Sequence, residues 1–116
     1  MRRGEIWLAD LEPALPGEAN KSRPVVVVSN DHSNEAVDIL GRGVVTVVPL
    51  TSNTRRVLDF HVLAEPDESG LNRTSKAQPE QIRAISVQRF QRCLGALTPS
   101  RMWELDEAIA LHLGLS

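Results

Sequence analysis

The sequence predicts a small, mainly β protein in which an antiparallel sheet curls into a barrel, with one α-helix at the C-terminus. Three observations lead to this prediction. The chain of 116 residues has the length of one domain. Short β-type runs follow one another through residues 1–97 without helices between them, and strands so closely spaced pair antiparallel because parallel pairs need long crossovers. A helical apolar period begins only near residue 99 and continues to about residue 113.

The first half of the chain contains three predicted strands. Residues 5–10 form the first, with the β-formers Ile6 and Trp7 at its centre, before prolines and a glycine start a loop that runs to about residue 22. The runs 23–29 and 44–51 are rich in valine, which predicts strands buried on both faces. Between them, residues 30–34 are typical of a turn, and the stretch to residue 40 has room for one helical turn.

The remainder of the barrel is predicted as short strands joined by turns. Apolar residues alternate over 59–64, and residues 66–70 form a turn. Further strands are predicted near residues 75–78, 81–86 and 92–97.

The C-terminal helix has signals at both ends and an apolar stripe. Thr98 is suited to the N-cap and Pro99 to the first helical position. Met102, Leu105, Ile109 and His112 recur at steps of three and four, and Gly114 is placed to end the helix. We expect this helix and the region of Trp7 to serve mainly in core or dimer packing.

Several classes of protein are excluded by composition. The single cysteine, Cys93, cannot form an internal disulfide, and its apolar neighbours predict a buried, inert thiol. The apolar runs are far shorter than the ~20 residues that span a bilayer, and no signal peptide follows the first residues. We therefore expect a cytoplasmic protein that does not bind membranes.

The histidines limit the chemistry that is available. His32, His61 and His112 are far apart, and none stands at a metal-ligand spacing from Cys93 or from a carboxylate cluster. The sequence also has no glycine-rich phosphate loop and no nucleophile elbow. We expect no metal site and no cofactor.

The net charge of −2 and the scarcity of aromatic residues, 3% of the chain, argue at first against nucleic acid as a partner. The charges, however, are segregated. Residues 59–68 and 102–116 contain acidic residues and no lysine or arginine, whereas residues 69–101 contain six basic residues and only one acid, Glu80. This local excess fits an anion-binding surface or a solvated rim equally well.

Polar residues stand at the ends of the predicted strands. Arg23 begins a buried strand, Thr51 and Ser52 follow another, and Glu80–Arg83 combines an acid, an amide and a base on a short predicted strand. Taken singly, these would be explained as a strand cap, a turn and an ordinary alternating strand.

Four segments together resemble the MazF/PemK toxins: residues 3–7 (RGEIW), 23–30 (RPVVVVSN), 48–52 (VPLTS) and 80–85 (EQIRAI). They stand in the order of that family, and the resemblance covers essentially the whole chain. It implies a Src-homology-3-like barrel of the CcdB/PemK type, a homodimer, and an endoribonuclease of a type II toxin–antitoxin system. In that family the 2′-hydroxyl of single-stranded RNA attacks the adjacent phosphodiester without a metal. The products are a 2′,3′-cyclic phosphate and a 5′-hydroxyl, and translation and growth are inhibited.

The resemblance also implies roles for individual residues. Arg23 suits stabilisation of the phosphate, and Thr51 can hydrogen-bond a phosphate oxygen or the 2′-hydroxyl. Glu18 and Glu80 are alternative general bases, and the sequence does not decide between them. With few aromatic residues, bases should be held by polar groups more than by stacking. The expected RNA contacts are Asn20, Lys21, Ser52, Asn53, Arg55, Ser75, Lys76, Gln78, Gln81 and Arg83.

A toxin of this family needs an antitoxin. We expect a MazE-like partner whose acidic, disordered C-terminal tail folds onto the basic excess and competes there with RNA. The main alternative is a CcdB-like toxin that binds and poisons DNA gyrase and cuts nothing. Arg23, Thr51 and Glu80 would have no reason to coexist in such a binder, which favours the nuclease. A barrel that binds RNA without cleaving it is the third interpretation.

Overall fold

The structure, a computed structural model, describes residues 1–115. Within them the predicted combination of an antiparallel sheet and a C-terminal helix is confirmed. The strands are β1 (Glu5–Asp10), β2 (Ser22–Val27), β3 (Val44–Thr51), β4 (Val62–Ala64), β5 (Ser75–Ala77), β6 (Arg83–Ser86) and β7 (Phe90–Ala96). The helices are α1 (Asp31–Leu40), α2 (Pro66–Ser69) and α3 (Pro99–His112), with 3₁₀ turns at Pro79–Gln81 and Val87–Arg89.

Strand β3 organises the sheet because it pairs with three other strands. The order is β4-β5-β3-β2-β1-β7, and β6 pairs with the first half of β3. All pairings are antiparallel. The last residues of β3, Leu50 and Thr51, extend beyond β6 and pair with β5. The sheet therefore bends around β3 into a half-barrel.

Strand β2 is buried on both faces, as its run of valines predicts. Val26 belongs to a core cluster that includes Val48, Leu50 and, from α3, the fully buried Leu105. Val25 and Val27 belong to a second cluster on the other face. Each fully buried aliphatic side chain of this kind contributes roughly 1.5–3 kcal/mol of transfer free energy.

Helix α1 is longer than the single turn that the sequence predicts. It spans ten residues, from the Asn30 N-cap, whose side chain accepts the Ser33 N–H, to Gly41 with φ 68°. Only Asn34 is fully buried on it, and its apolar residues are confined to the second half, where Val37 packs against the second core cluster, so the apolar pattern is too short to predict the whole helix. The caps define this helix, and its one buried side chain is fixed by hydrogen bonds to Ser29.

Three boundaries differ from the predicted strands. Residues 59–61 form a turn closed by the His61 N–H on the Leu58 carbonyl, so β4 is shorter than predicted. The predicted turn at 66–70 contains the one-turn helix α2. Glu80 and Gln81 lie in a 3₁₀ turn and not on a strand, because Pro79 lacks the N–H that a ladder requires.

Helix α3 confirms its predicted cap and buries one face. The Thr98 hydroxyl accepts the Arg101 N–H at 3.2 Å, and Met102, Ala108 and Ile109 pack against the core around Leu105. Arg3, near the start of the chain, donates two guanidinium hydrogen bonds to Asp106 of α3, at 2.6 and 3.1 Å. These hydrogen bonds raise the pKa of Arg3. None of the helices within residues 1–115 is long and apolar enough to cross a membrane.

The exposure of three side chains, on β1, α3 and β7, bears on what the sequence predicts for these elements. Trp7 is half-buried in an edge-to-face contact with Phe90, whereas Trp103 on α3 is 65% exposed. The prediction of a buried Cys93 is wrong: the thiol is exposed. Cys93 lies on β7, which is an edge strand and, within residues 1–115, pairs only with β1. Apolar neighbours in the sequence are not enough to bury a side chain on such an edge.

Two glycines allow the segment after α2 to touch β7. A Cβ at Gly95 would lie 2.0 Å from the Ser69 carbonyl oxygen, and a Cβ at Gly70 would lie 2.6 Å from the Leu94 carbonyl oxygen. Both obstacles are backbone atoms, which cannot rotate away. This close approach fixes residues 70–75 against the sheet.

We expect Gly95→Ala to lower the free energy of unfolding by about 3 kcal/mol, since the methyl group overpacks a backbone contact. Urea denaturation of the purified protein measures this. Gly17→Ala is the control: Gly17 has φ 90° with no heavy atom within 4 Å of the added Cβ, so only backbone strain of about 1–2 kcal/mol applies. Equal losses in the two variants would contradict the close contact.

Candidate functional site

The register of β2 against β3 brings Arg23 and Thr51 together. Val25 pairs with Pro49, and the same antiparallel register continued by two residues places Arg23 opposite Thr51. Arg23 also pairs with Ala9 of β1, and Thr51 with Lys76 of β5, so neither residue lies at the sheet's outer edge. Two positions that are 28 residues apart in the chain therefore share one end of the central strands.

Both residues line a groove of about 600 Å³. The ends of β2 and β3 form one side, and β7 with residues 70–75 forms the other. Four of its residues are cationic: Lys21, Arg23, Arg73 and Arg92. Hydroxyl groups come from Ser22, Thr51, Ser52 and Ser75, and within the described chain no aspartate or glutamate lines the groove. Such a surface attracts anions, and its concave shape concentrates the field.

The guanidinium of Arg23 is held in place by Asn20. Nε donates to the Asn20 carbonyl at 2.8 Å, and Nη2 donates to the Asn20 side-chain oxygen at 2.9 Å. Within residues 1–115, Nη1 donates to no protein group, so one corner of the guanidinium is available to a ligand. An arginine fixed in this way loses little side-chain entropy when it binds a phosphate.

The Thr51 hydroxyl is oriented by the loop that follows it. Its oxygen accepts the Asn53 N–H at 3.2 Å, which leaves its proton for a ligand oxygen, and the Asn53 side chain in turn accepts the Arg55 N–H. Further along this loop, Lys76 donates to the Arg56 carbonyl. Asn53, Arg55 and Lys76, which the resemblance implies as RNA contacts, thus surround the groove end and do not line the groove.

The two acids considered as general base lie outside the groove lining. Glu18 is exposed in the loop between β1 and β2, where its Oε1 accepts the Leu15 N–H at 2.7 Å. Glu80 contacts His61 through Oε2 at 2.9 Å from Nε2.

The other predicted site residues divide between the groove and its surroundings. Lys21, Ser52 and Ser75 line the groove with Arg23 and Thr51. Gln81 binds the backbone of the β1–β2 loop, and Arg83 pairs with Val47 in the sheet. Gln78 keeps a buried side-chain oxygen that accepts no hydrogen bond from the described residues.

A second cavity, of about 410 Å³, has the opposite charge. It lies between α3 and residues 59–62, and Asp59, Glu104 and Glu107 line it together with Phe60 and Trp103. The segregation of charge along the sequence is therefore a segregation in space. Within residues 1–115, no group of three or more His, Cys, Asp or Glu side chains is arranged to hold a metal ion.

Comparison with known families decides the assignment. The family model described as PemK-like, MazF-like toxin of type II toxin-antitoxin system matches residues 2–113. The chain belongs to this family.

Individual relatives agree with the family. Endoribonuclease MazF9 of Mycobacterium tuberculosis (strain ATCC 25618 / H37Rv) is 52% identical over 115 residues, which cover 99% of this chain and 98% of the relative. Endoribonuclease MazF of Staphylococcus epidermidis is 33% identical over 117 aligned residues, covering 100% of this chain and 93% of the relative. A solved mycobacterial endoribonuclease in complex with its cognate antitoxin superimposes with a TM-score of 0.79 at 27% identity, covering 100% of this chain and 97% of that one.

Five polar groove residues of this PemK/MazF-like chain were not predicted from the sequence: Ser22, Asn72, Arg73, Arg92 and Cys93. The six basic residues counted in 69–101 include both arginines, but a count of charges does not show which surface of the fold those side chains occupy. They reach the groove because β7 pairs with β1, placing Arg92 opposite Leu8, and because the close contact at Gly70 and Gly95 holds residues 70–75 there.

We expect Arg92→Gln to weaken binding of a single-stranded oligonucleotide that lacks 2′-hydroxyls. Loss of one phosphate contact should also reduce the slope of log K against log salt by about 0.7. Fluorescence anisotropy at several salt concentrations measures both quantities. Arg42→Gln, an exposed position in the turn after α1, is the matched control, and an equal effect of the two substitutions would contradict the assignment of the groove.

Proposed function

We propose that this protein is a metal-independent endoribonuclease toxin of a type II toxin–antitoxin system, which cleaves single-stranded RNA and thereby inhibits translation and growth. One observation carries the proposal: Arg23 and Thr51 line one groove with four cations and, within residues 1–115, no acid among its lining. The names of the relatives point to the same activity. The family assignment favours this function over the CcdB-like alternative that poisons gyrase.

The groove supplies what cleavage by an internal nucleophile requires. The RNA 2′-hydroxyl attacks the adjacent phosphorus, the 5′-oxygen departs, and negative charge accumulates on the phosphorane between these events. The free corner of the Arg23 guanidinium and the Thr51 O–H stabilise this charge, since both are fixed before the substrate binds. Lys21, Arg73 and Arg92 bind the flanking phosphates.

We assign the general base to Glu18. Its carboxylate is exposed in the loop that leads to Lys21 and Arg23, and one of its oxygens makes no hydrogen bond with the described residues. This oxygen takes the 2′-hydroxyl proton when RNA lies along the groove mouth. We assign donation of a proton to the departing 5′-oxygen to Arg23, which lines the groove together with Thr51.

The same charge distribution suggests the partners. An antitoxin of the MazE type, with an acidic C-terminal tail, complements the cationic groove and excludes RNA from it. The solved mycobacterial relative was captured with its cognate antitoxin. We further propose that the toxin is a homodimer, in which two-fold symmetry presents two copies of the groove, and that it acts in the cytoplasm.

We expect the wild-type protein to cleave single-stranded RNA in the presence of EDTA, and Arg23→Ala to lower kcat by about 10²–10³-fold because one charge-stabilising donor is lost. Gel analysis of an end-labelled oligonucleotide measures the rate and identifies the 2′,3′-cyclic phosphate. Arg42→Ala is the control for loss of a surface arginine. Dependence of cleavage on a divalent metal, or an equal rate in Arg23→Ala, would contradict the mechanism.

A further inference from the structure

The 3₁₀ turn at Pro79–Gln81 contacts two of the loops that adjoin the cationic groove. Gln81 binds the loop between β1 and β2, and Glu80 binds His61 at the end of the loop between β3 and β4. The turn itself is anchored, because Pro79 is buried and the Gln78 N–H donates to the Pro49 carbonyl of β3. We call Glu80, Gln81 and His61 the clasp.

His61 is the buried member of the clasp. Its side chain is only 3% exposed, and both of its ring nitrogens are engaged. Nδ1 accepts the Leu58 N–H at 3.0 Å, so the ring proton is on Nε2 and is donated to Glu80 Oε2 at 2.9 Å. What this hydrogen bond requires at position 80 is an acceptor oxygen, and a negative charge is not needed.

Gln81 connects the same turn to the support of Arg23. Its side-chain oxygen accepts the Ala19 N–H at 3.1 Å, and its NH₂ group donates to the Gly17 carbonyl at 2.9 Å. These two backbone groups flank Glu18, and the next residue after them is Asn20, which orients the Arg23 guanidinium. A displacement of the turn would therefore be transmitted to Glu18 and Arg23.

We propose that Glu80 is a positioning residue and not the general base: with His61 and Gln81 it fixes the two loops relative to each other and to the groove. One oxygen of the Glu80 carboxylate is committed to the buried imidazole of His61, whereas Glu18 makes no such side-chain contact with the described residues. This inference rests on the proposed ribonuclease function. It separates the two acids that the sequence leaves as alternatives, since Glu18 contacts only the backbone of its own loop.

The conservative substitution Glu80→Gln is the decisive test. The amide oxygen that it introduces still accepts the His61 Nε2 proton, so we expect kcat for RNA cleavage to stay within about three-fold of wild type. Glu80→Ala removes the acceptor, and we expect kcat to fall by about ten- to a hundred-fold through misplacement of the loops. Affinity for an oligonucleotide without 2′-hydroxyls should change less than two-fold in both variants, because the groove cations remain.

A general base at position 80 would give a different pattern. Glu80→Gln would then be as inactive as Glu80→Ala, with losses of about 10²–10⁴-fold, and this result would overturn the proposal. Glu35→Ala, which removes an exposed acid on α1, controls for the change in net charge. Should Glu80→Ala fail to fold, the rate of Glu80→Gln still decides between the two roles.

Hydrogen exchange tests the clasp without using catalysis. We expect Glu80→Ala to accelerate exchange of the Leu58 N–H, and Gln81→Ala that of the Ala19 N–H, at least ten-fold, while Glu80→Gln leaves both unchanged. Unaltered exchange in the alanine variants would overturn the clasp. Because this measurement needs no cleavage, failure of the clasp is distinguishable from failure of the proposed ribonuclease function.

Discussion

The antiparallel register between β2 and β3 is the constraint on which the site depends. Both strands bury valines on two faces, so a slip of one residue would move the buried valines to the opposite core cluster. The register that satisfies both clusters also sets Arg23 opposite Thr51. Core packing and the groove are thus specified by the same strand register, and the proposed catalytic pair needs no separate structural device.

Charge segregation resolves the apparent conflict between an acidic chain and an anionic substrate. The chain carries a net charge of −2, but lysine and arginine side chains line the groove that contains Arg23. Acids such as Glu104 and Glu107 line a different cavity beside α3. A polyanion responds to the local field of the groove more strongly than to the total charge. The proposed competition between RNA and an acidic antitoxin tail depends on the same field.

Local patterns predicted the valine strands and α3 with its Thr98 cap, whereas the roles of Arg23 and Thr51 are implied by the family resemblance and remain a prediction. Helix α1 was underestimated because its apolar residues are confined to its second half, while its beginning is marked by the Asn30 cap. Arg92 was not assigned to the site because its position depends on how β7 pairs with β1, a long-range choice that local patterns do not encode. The exposure of Cys93 follows from the same edge position.

The central claim is that RNA lies in the cationic groove, across Arg23 and Thr51. The most direct measurement is mapping of ¹H–¹⁵N chemical-shift changes when an oligonucleotide without a reactive 2′-hydroxyl is titrated into the protein. We expect the largest changes at Ser22, Ser52 and residues 70–75, with little change at residues 103–111 of α3. Changes concentrated around α3 and residues 59–62, with an unaffected groove, would contradict it.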